Sequence, residues 1–190
     1  MAMERHSQHL EEIFRAVFFA EYNTVLIGGA AEPLYQPADE QCPQHRIFYR
    51  DDYFSSALHE VAHWCVAGEA RRRLLDFGYW YNPDGRTADQ QRAFEIVEVK
   101  PQAFEWIFSV AAGIVFRPSA DNLSASDAET VGPSRHFLDA LEKKALDYCK
   151  EGLPERAAAF TAALSDFYGN DSCGNTDALD PGHYRGRFSR

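Results

Sequence analysis

Apolar residues recur along this chain with two periods, and the changes of period divide it into elements. From His9 to Ala20, Leu10, Ile13, Phe14, Val17 and Phe18 fall three or four apart, which predicts an amphipathic helix. Thr24-Val25-Leu26-Ile27 is an unbroken apolar run stopped by Gly28-Gly29, the pattern of a short buried strand. A loop with Pro33, Pro37 and Pro43 follows, and Arg46-Ile47-Phe48-Tyr49-Arg50 reads as a second strand. Asp51 or Asp52 can cap a helix from Tyr53 to Gly68, where the glycine supplies the stop.

Phe77-Gly78-Tyr79-Trp80-Tyr81 is strand-like and ends in the turn Asn82-Pro83-Asp84-Gly85. A helix is predicted from Thr87 to Glu98. Pro101 then interrupts the pattern, so a kink or a new helix is expected there, with a core helix from Phe104 to Val115. Pro118 to Pro133 is a polar loop, and two amphipathic helices follow, from Ser134 to Lys150 and from Pro154 to Tyr168. After Gly169 the composition turns to Gly, Asn, Asp and Pro, which predicts a flexible tail over 170–190 beyond a single catalytic domain at 1–169. The order of elements describes an α+β fold: a helix-rich domain with a small sheet packed on one central helix.

Composition narrows the function. With 45% apolar and 14% aromatic residues, 190 residues suffice for one substantial core. The net charge of −10 argues against nucleic acid as a partner and favours a cationic one. Cys42, Cys65, Cys149 and Cys173 are scattered, so neither a zinc ribbon nor a disulfide framework is expected. Residues 1–12 are charged and lack the apolar run of a secretory leader, and no stretch is long enough to span a membrane. A cytoplasmic protein is expected.

The chemistry is carried by His59-Glu60-Val61-Ala62-His63. Histidines four apart on a helix share a face, about 6 Å apart along the axis, so both imidazoles can reach one ion. Ala57, Leu58, Val61, Ala62 and Trp64 let this helix run through an interior, where a divalent metal would offset the desolvation of its polar residues. Such a site needs a third protein ligand and an open position. Glu95 and Glu98 lie one turn apart, and Glu98, between Val97 and Val99, is the favoured ligand. The other is expected to orient a histidine. His136, beside Arg135, is the competing third ligand. With zinc, Glu60 would be the general base of a peptidase; with iron(II), the same donors leave positions open for oxygen. Ligand order alone matches the peptidase.

A resemblance bears on that choice. The pentapeptide with Trp64, the aromatic block at 77–81 with Pro83-Asp84-Gly85-Arg86, Phe94-Glu95, Val97-Glu98-Val99-Lys100-Pro101-Gln102-Ala103, Val110-Ala111-Ala112-Gly113 and Gly152-Leu153-Pro154-Glu155-Arg156 together resemble the elongation factor P hydroxylase family. The likeness runs from about residue 10 to Tyr168. The order of elements itself resembles the zincin-like core of His-Glu-x-x-His metalloproteins, and the family likeness implies a metal-dependent monooxygenase that hydroxylates the β-lysylated lysine of elongation factor P. That likeness places the ligands on His59, His63 and Glu98. Iron(II) is the expected metal, zinc and manganese are compatible alternatives, and no organic cosubstrate is legible. A β-lysylated lysine carries two ammonium groups, which suits an acidic protein with aromatic walls. Tyr79, Trp80, Tyr81, Asp84 and Glu95 are the candidates for that surface. A zinc peptidase remains the alternative on the pentapeptide alone.

Overall fold

The computed structural model describes residues 4–76, 86–120 and 132–170. Among them are five α-helices: α1 (Ser7–Tyr22), α2 (Phe54–Val66), α3 (Ala88–Ala111), α4 (Arg135–Glu151) and α5 (Glu155–Tyr168). Three strands, β1 (Thr24–Ala30), β2 (Leu34–Gln36) and β3 (His45–Arg50), form one sheet in the order β1-β3-β2. β1 runs parallel to β3, pairing Leu26 with Ile47, and β2 runs antiparallel to β3. The segment from Phe77 to Gly85, expected to be an aromatic strand and turn, lies outside the described residues, as does the expected tail from residue 171 onward. No described helix is long and apolar enough to cross a membrane.

The central strand β3 packs on α2, and α1 covers β1. α2 buries Ala57, Leu58, Val61, Ala62, Trp64 and Cys65, so its apolar residues face the core formed by α1, α3, α5 and the sheet. Full burial of a side chain such as Leu58 is worth about 1.5–3 kcal/mol, and Leu58→Ala would also leave a cavity. Burial pushes the Cys65 thiol up to about 12, in keeping with a core role. Cys149 is disulfide-bonded, where the scattered cysteines had given no reason to expect a bridge.

Several boundaries differ from those the sequence predicts. Gly28-Gly29 does not end β1; it forms an irregularity between Ile27 and Ala30, with Gly29 at φ +84°. A Cβ on Gly28 would lie 2.5 Å from the Tyr49 hydroxyl, so glycine is what lets β1 pass the buried tyrosine. Neither Asp51 nor Asp52 caps α2. Asp51 sits at φ 45° in the turn, and the cap residue is Tyr53, which makes no side-chain capping bond.

The largest difference is α3. Pro101 lies inside one continuous 24-residue helix rather than between two. The proline removes the bond to the Val97 carbonyl, but Val97 is on the exposed side, where water can replace it. The buried face continues unbroken on both sides of the proline, through Glu98 and Gln102 to Glu105. Burial across the whole face outweighs the local penalty.

Candidate metal centre

α3 buries polar residues at an alternating spacing of four and three: Gln91, Glu95, Glu98, Gln102, Glu105 and Ser109. That spacing puts them on one stripe of the helix. α2 packs on α3, and His59 and His63 meet this stripe from one face of α2. The C-terminal end of α2 is fastened by arginines. Arg156 of α5 donates to the carbonyls of Trp64 at 2.7 Å and Ala67 at 2.6 Å, and Arg72 donates to Ala67 at 2.7 Å. Cations at a helix C-terminus also suit its dipole.

His63 Nε2 lies 3.1 Å from His59 Nε2 and 3.2 Å from Glu98 Oε1, while His59 Nε2 lies 3.9 Å from Glu98 Oε2. One donor atom from each of the three residues can be chosen so that all lie within 4.8 Å of one another. For bonds of about 2.1 Å, donors spaced about 3.0 to 3.4 Å apart subtend roughly 90–110° at an ion. The two shorter separations fit that range, so the donors present suit a divalent metal. The Glu98 side chain is 5% exposed, whereas those of His59 and His63 are 21% and 32% exposed. The centre therefore has a closed side and an open one.

The surroundings prepare these donors. Glu105 accepts from His59 Nδ1 at 2.8 Å, so Nε2 is the ring nitrogen that faces the ligand cluster and would bind an ion once its proton is displaced. Burial disfavours the charged form of His59, but Glu105 and Glu98 outweigh it and raise its pKa well above the ordinary histidine value. Burial likewise opposes the charge on His63, and Glu98 reverses that to a net rise. Glu98 would be pushed up by burial, yet His63 and His59 pull it down to about 2. Burial raises Glu60, with the two histidines offsetting it only in part.

A cavity of about 800 Å³ opens over His59, Glu60, His63 and Glu98. One wall is Asp52 and Tyr53 with the first turn of α2 through Ser56, and another is the segment from Ile114 to Ser119. A smaller cavity of about 320 Å³ reaches Glu60, His63 and Glu98 from the side of Trp64, Val97 and Pro101.

His59, His63, Glu60 and Glu98 thus come together. Glu95 does not join them: its two carboxylate oxygens accept from the Ser134 amide at 2.8 Å and the Ser134 hydroxyl at 2.6 Å. It ties α3 to the start of α4, and the orienting partner expected there is Glu105 instead. Glu105 follows Glu98 by seven residues, two turns on the same face, and the break expected at Pro101 hid that relation. His136 is exposed on α4 and takes no part in the cluster. Tyr79, Trp80, Tyr81 and Asp84 lie outside the described residues.

The elongation factor P hydroxylase family profile matches residues 13–178. The chain belongs to this family. An elongation factor P lysine hydroxylase of Haemophilus influenzae is 45% identical over 178 residues, which cover 94% of this chain and 98% of the relative. The chain is accordingly an enzyme, a hydroxylase, and the zinc-peptidase alternative finds no support. The match passes Gly169 and takes in residues 170–178 of the expected tail.

Proposed function

We propose that this chain is an iron(II)-dependent monooxygenase that hydroxylates the β-lysylated lysine of elongation factor P in the cytoplasm. The observation that carries the reading is the convergence of His59, His63 and Glu98 in the lining of a cavity of about 800 Å³, in a member of this hydroxylase family. Two histidines and one carboxylate with an open side are the donor set of oxygen-activating iron sites. The packing of α2 on β3 supports the zincin-like arrangement for the metal helix.

Bound iron would supply the activation of dioxygen. One oxygen atom enters a C–H bond of the lysine, and the other leaves as water with two electrons and two protons from a reductant. The protein's residues prepare that event. Glu105 keeps the hydrogen of His59 on Nδ1, and Glu98 completes the ligand set from α3. Phe54, Phe94 and Phe116 line the cavity as apolar surface for a lysine stem, while Asp52 and Glu60 offer carboxylates to its ammonium groups. From the sequence alone, Tyr79, Trp80, Tyr81 and Asp84 are proposed as further substrate-binding residues. Glu60 is not required as a water-activating base in this chemistry, so Glu60→Gln keeps appreciable hydroxylation, whereas a peptidase would lose nearly all turnover.

Mass spectrometry of elongation factor P from cells with and without this chain tests the reading. A one-oxygen gain on the modified lysine that depends on the chain is expected. A gain that persists without it would refute the proposal.

A further inference from the structure

Gln102 is fully buried on the stripe of α3, four residues after Glu98, and its amide is engaged at both ends. Nε2 donates to Glu98 Oε2 at 3.2 Å and to the Ser119 carbonyl at 2.8 Å, and Oε1 accepts from the Ser119 amide at 3.1 Å. Ser119 ends the segment that walls the large cavity, and Ile114, Val115, Phe116 and Arg117 of that segment also line it. One side chain therefore bonds a metal-ligand candidate and the wall of the substrate cavity at once.

We infer that Gln102 is a positioning residue that couples metal occupancy to the wall of the substrate cavity. A primary amide cannot shift toward one partner without lengthening its bonds to the other. Glu98 Oε1 faces His63 while Oε2 accepts from Gln102, so an ion held through Oε1 would leave Oε2 to Gln102, which in turn fixes Ser119. The inference rests on His59, His63 and Glu98 being the metal ligands.

The neighbouring residue Ala120 supplies an internal control. Its carbonyl accepts from Gln91 at 3.2 Å and from Arg86 at 2.6 Å, so the same segment is fastened to α3 at a second point that does not touch Glu98. Gln102→Met removes both bonds to Ser119, whereas Gln91→Met weakens the fastening at Ala120, where the Arg86 bond remains, each with a side chain of similar length. A residue that merely anchors the wall would make the two variants alike.

The experiment measures cobalt(II) affinity by chelator competition, and hydrogen exchange over residues 113–120, in the wild type and both variants with and without cobalt. In the wild type, cobalt should slow exchange of the Ser119 amide. Gln102→Met should weaken cobalt binding by about 10- to 100-fold, the usual effect of losing a group that holds a ligand. It should also abolish the cobalt-dependent slowing. Gln91→Met should speed exchange near Ala120 yet bind cobalt like the wild type and keep the response at Ser119. Wild-type affinity in Gln102→Met, or exchange at Ser119 that ignores cobalt in the wild type, overturns the inference alone. A wild type that binds no cobalt overturns the ligand assignment and the inference with it.

Discussion

The two sides of α2 are built on opposite physical terms. On one side Trp64 is packed by Phe14 at 5.1 Å, Phe18 at 4.8 Å and Tyr22 at 5.2 Å, and Phe160 of α5 meets Phe108 of α3 at 5.1 Å. This is aromatic burial, and many apolar residues of similar volume could supply it. On the other side His59 and His63 face Glu98 and Glu105 across a polar seam. Taking those charges out of water costs stability, and apolar residues of the same volume would hold the helices together as well or better. A seam that a stable fold does not need points to chemistry.

If the two sides differ in this way, mutations should separate them. The largest effect falls on the seam: His63→Ala or Glu98→Ala should leave the protein without retained metal after dialysis and without hydroxylation, by elemental analysis and peptide mass. Retained metal in Glu98→Ala would remove α3 from the site. On the aromatic side, Phe160→Ala should lower stability by about 3–5 kcal/mol in a urea melt while the folded fraction binds metal as before. A changed metal affinity there would mean that the two sides are not independent.

A finer division runs along α3 itself. Glu105→Ala should weaken metal binding by about 10- to 100-fold, because His59 loses the partner that fixes its ring. Glu95→Ala should leave metal affinity unchanged and instead lower stability by about 1–3 kcal/mol, since the Ser134 groups lose their acceptor. The reverse pattern would restore Glu95 as the orienting residue.

The smallest effect is the pH dependence, and it has opposite signs with and without metal. In metal-free protein the raised pKa values of His59 and His63 contribute stability that is complete below the ordinary histidine value near 6.5 and is lost as pH rises through the raised values. Burial of Glu60 and Glu105, which disfavours their ionisation, adds to that loss. Metal must displace those protons, so its binding strengthens as pH rises. The difference in Tm between metal-loaded and chelator-treated protein should therefore widen from about pH 5 to pH 8. A difference that narrows would contradict protonated histidines in the free site.

The contrast between the two sides also explains what could be read in the sequence. α1, α4 and α5 follow apolar spacing, and the histidine pair is legible because its four-residue interval is a helical one. Glu98 is legible from its setting between Val97 and Val99, and the resemblance points to the same residue. α3 was misread because its informative stripe is polar: tracing apolar residues gives a break at Pro101, whereas Gln91, Glu95, Glu98, Gln102, Glu105 and Ser109 continue across it. Glu105 and Gln102 were missed with it. β2 escaped because Leu34–Gln36 is too short to show a period, and only its pairing with β3 defines it.

The most direct test of the seam as an oxygen-activating metal centre is the mass of the modified-lysine peptide of elongation factor P after incubation with purified, iron-loaded protein and a chemical reductant. In air the wild type should add one oxygen atom, while the anaerobic reaction and Glu98→Ala in air should add none. Addition without oxygen, or addition by Glu98→Ala to the wild-type extent, would contradict the account.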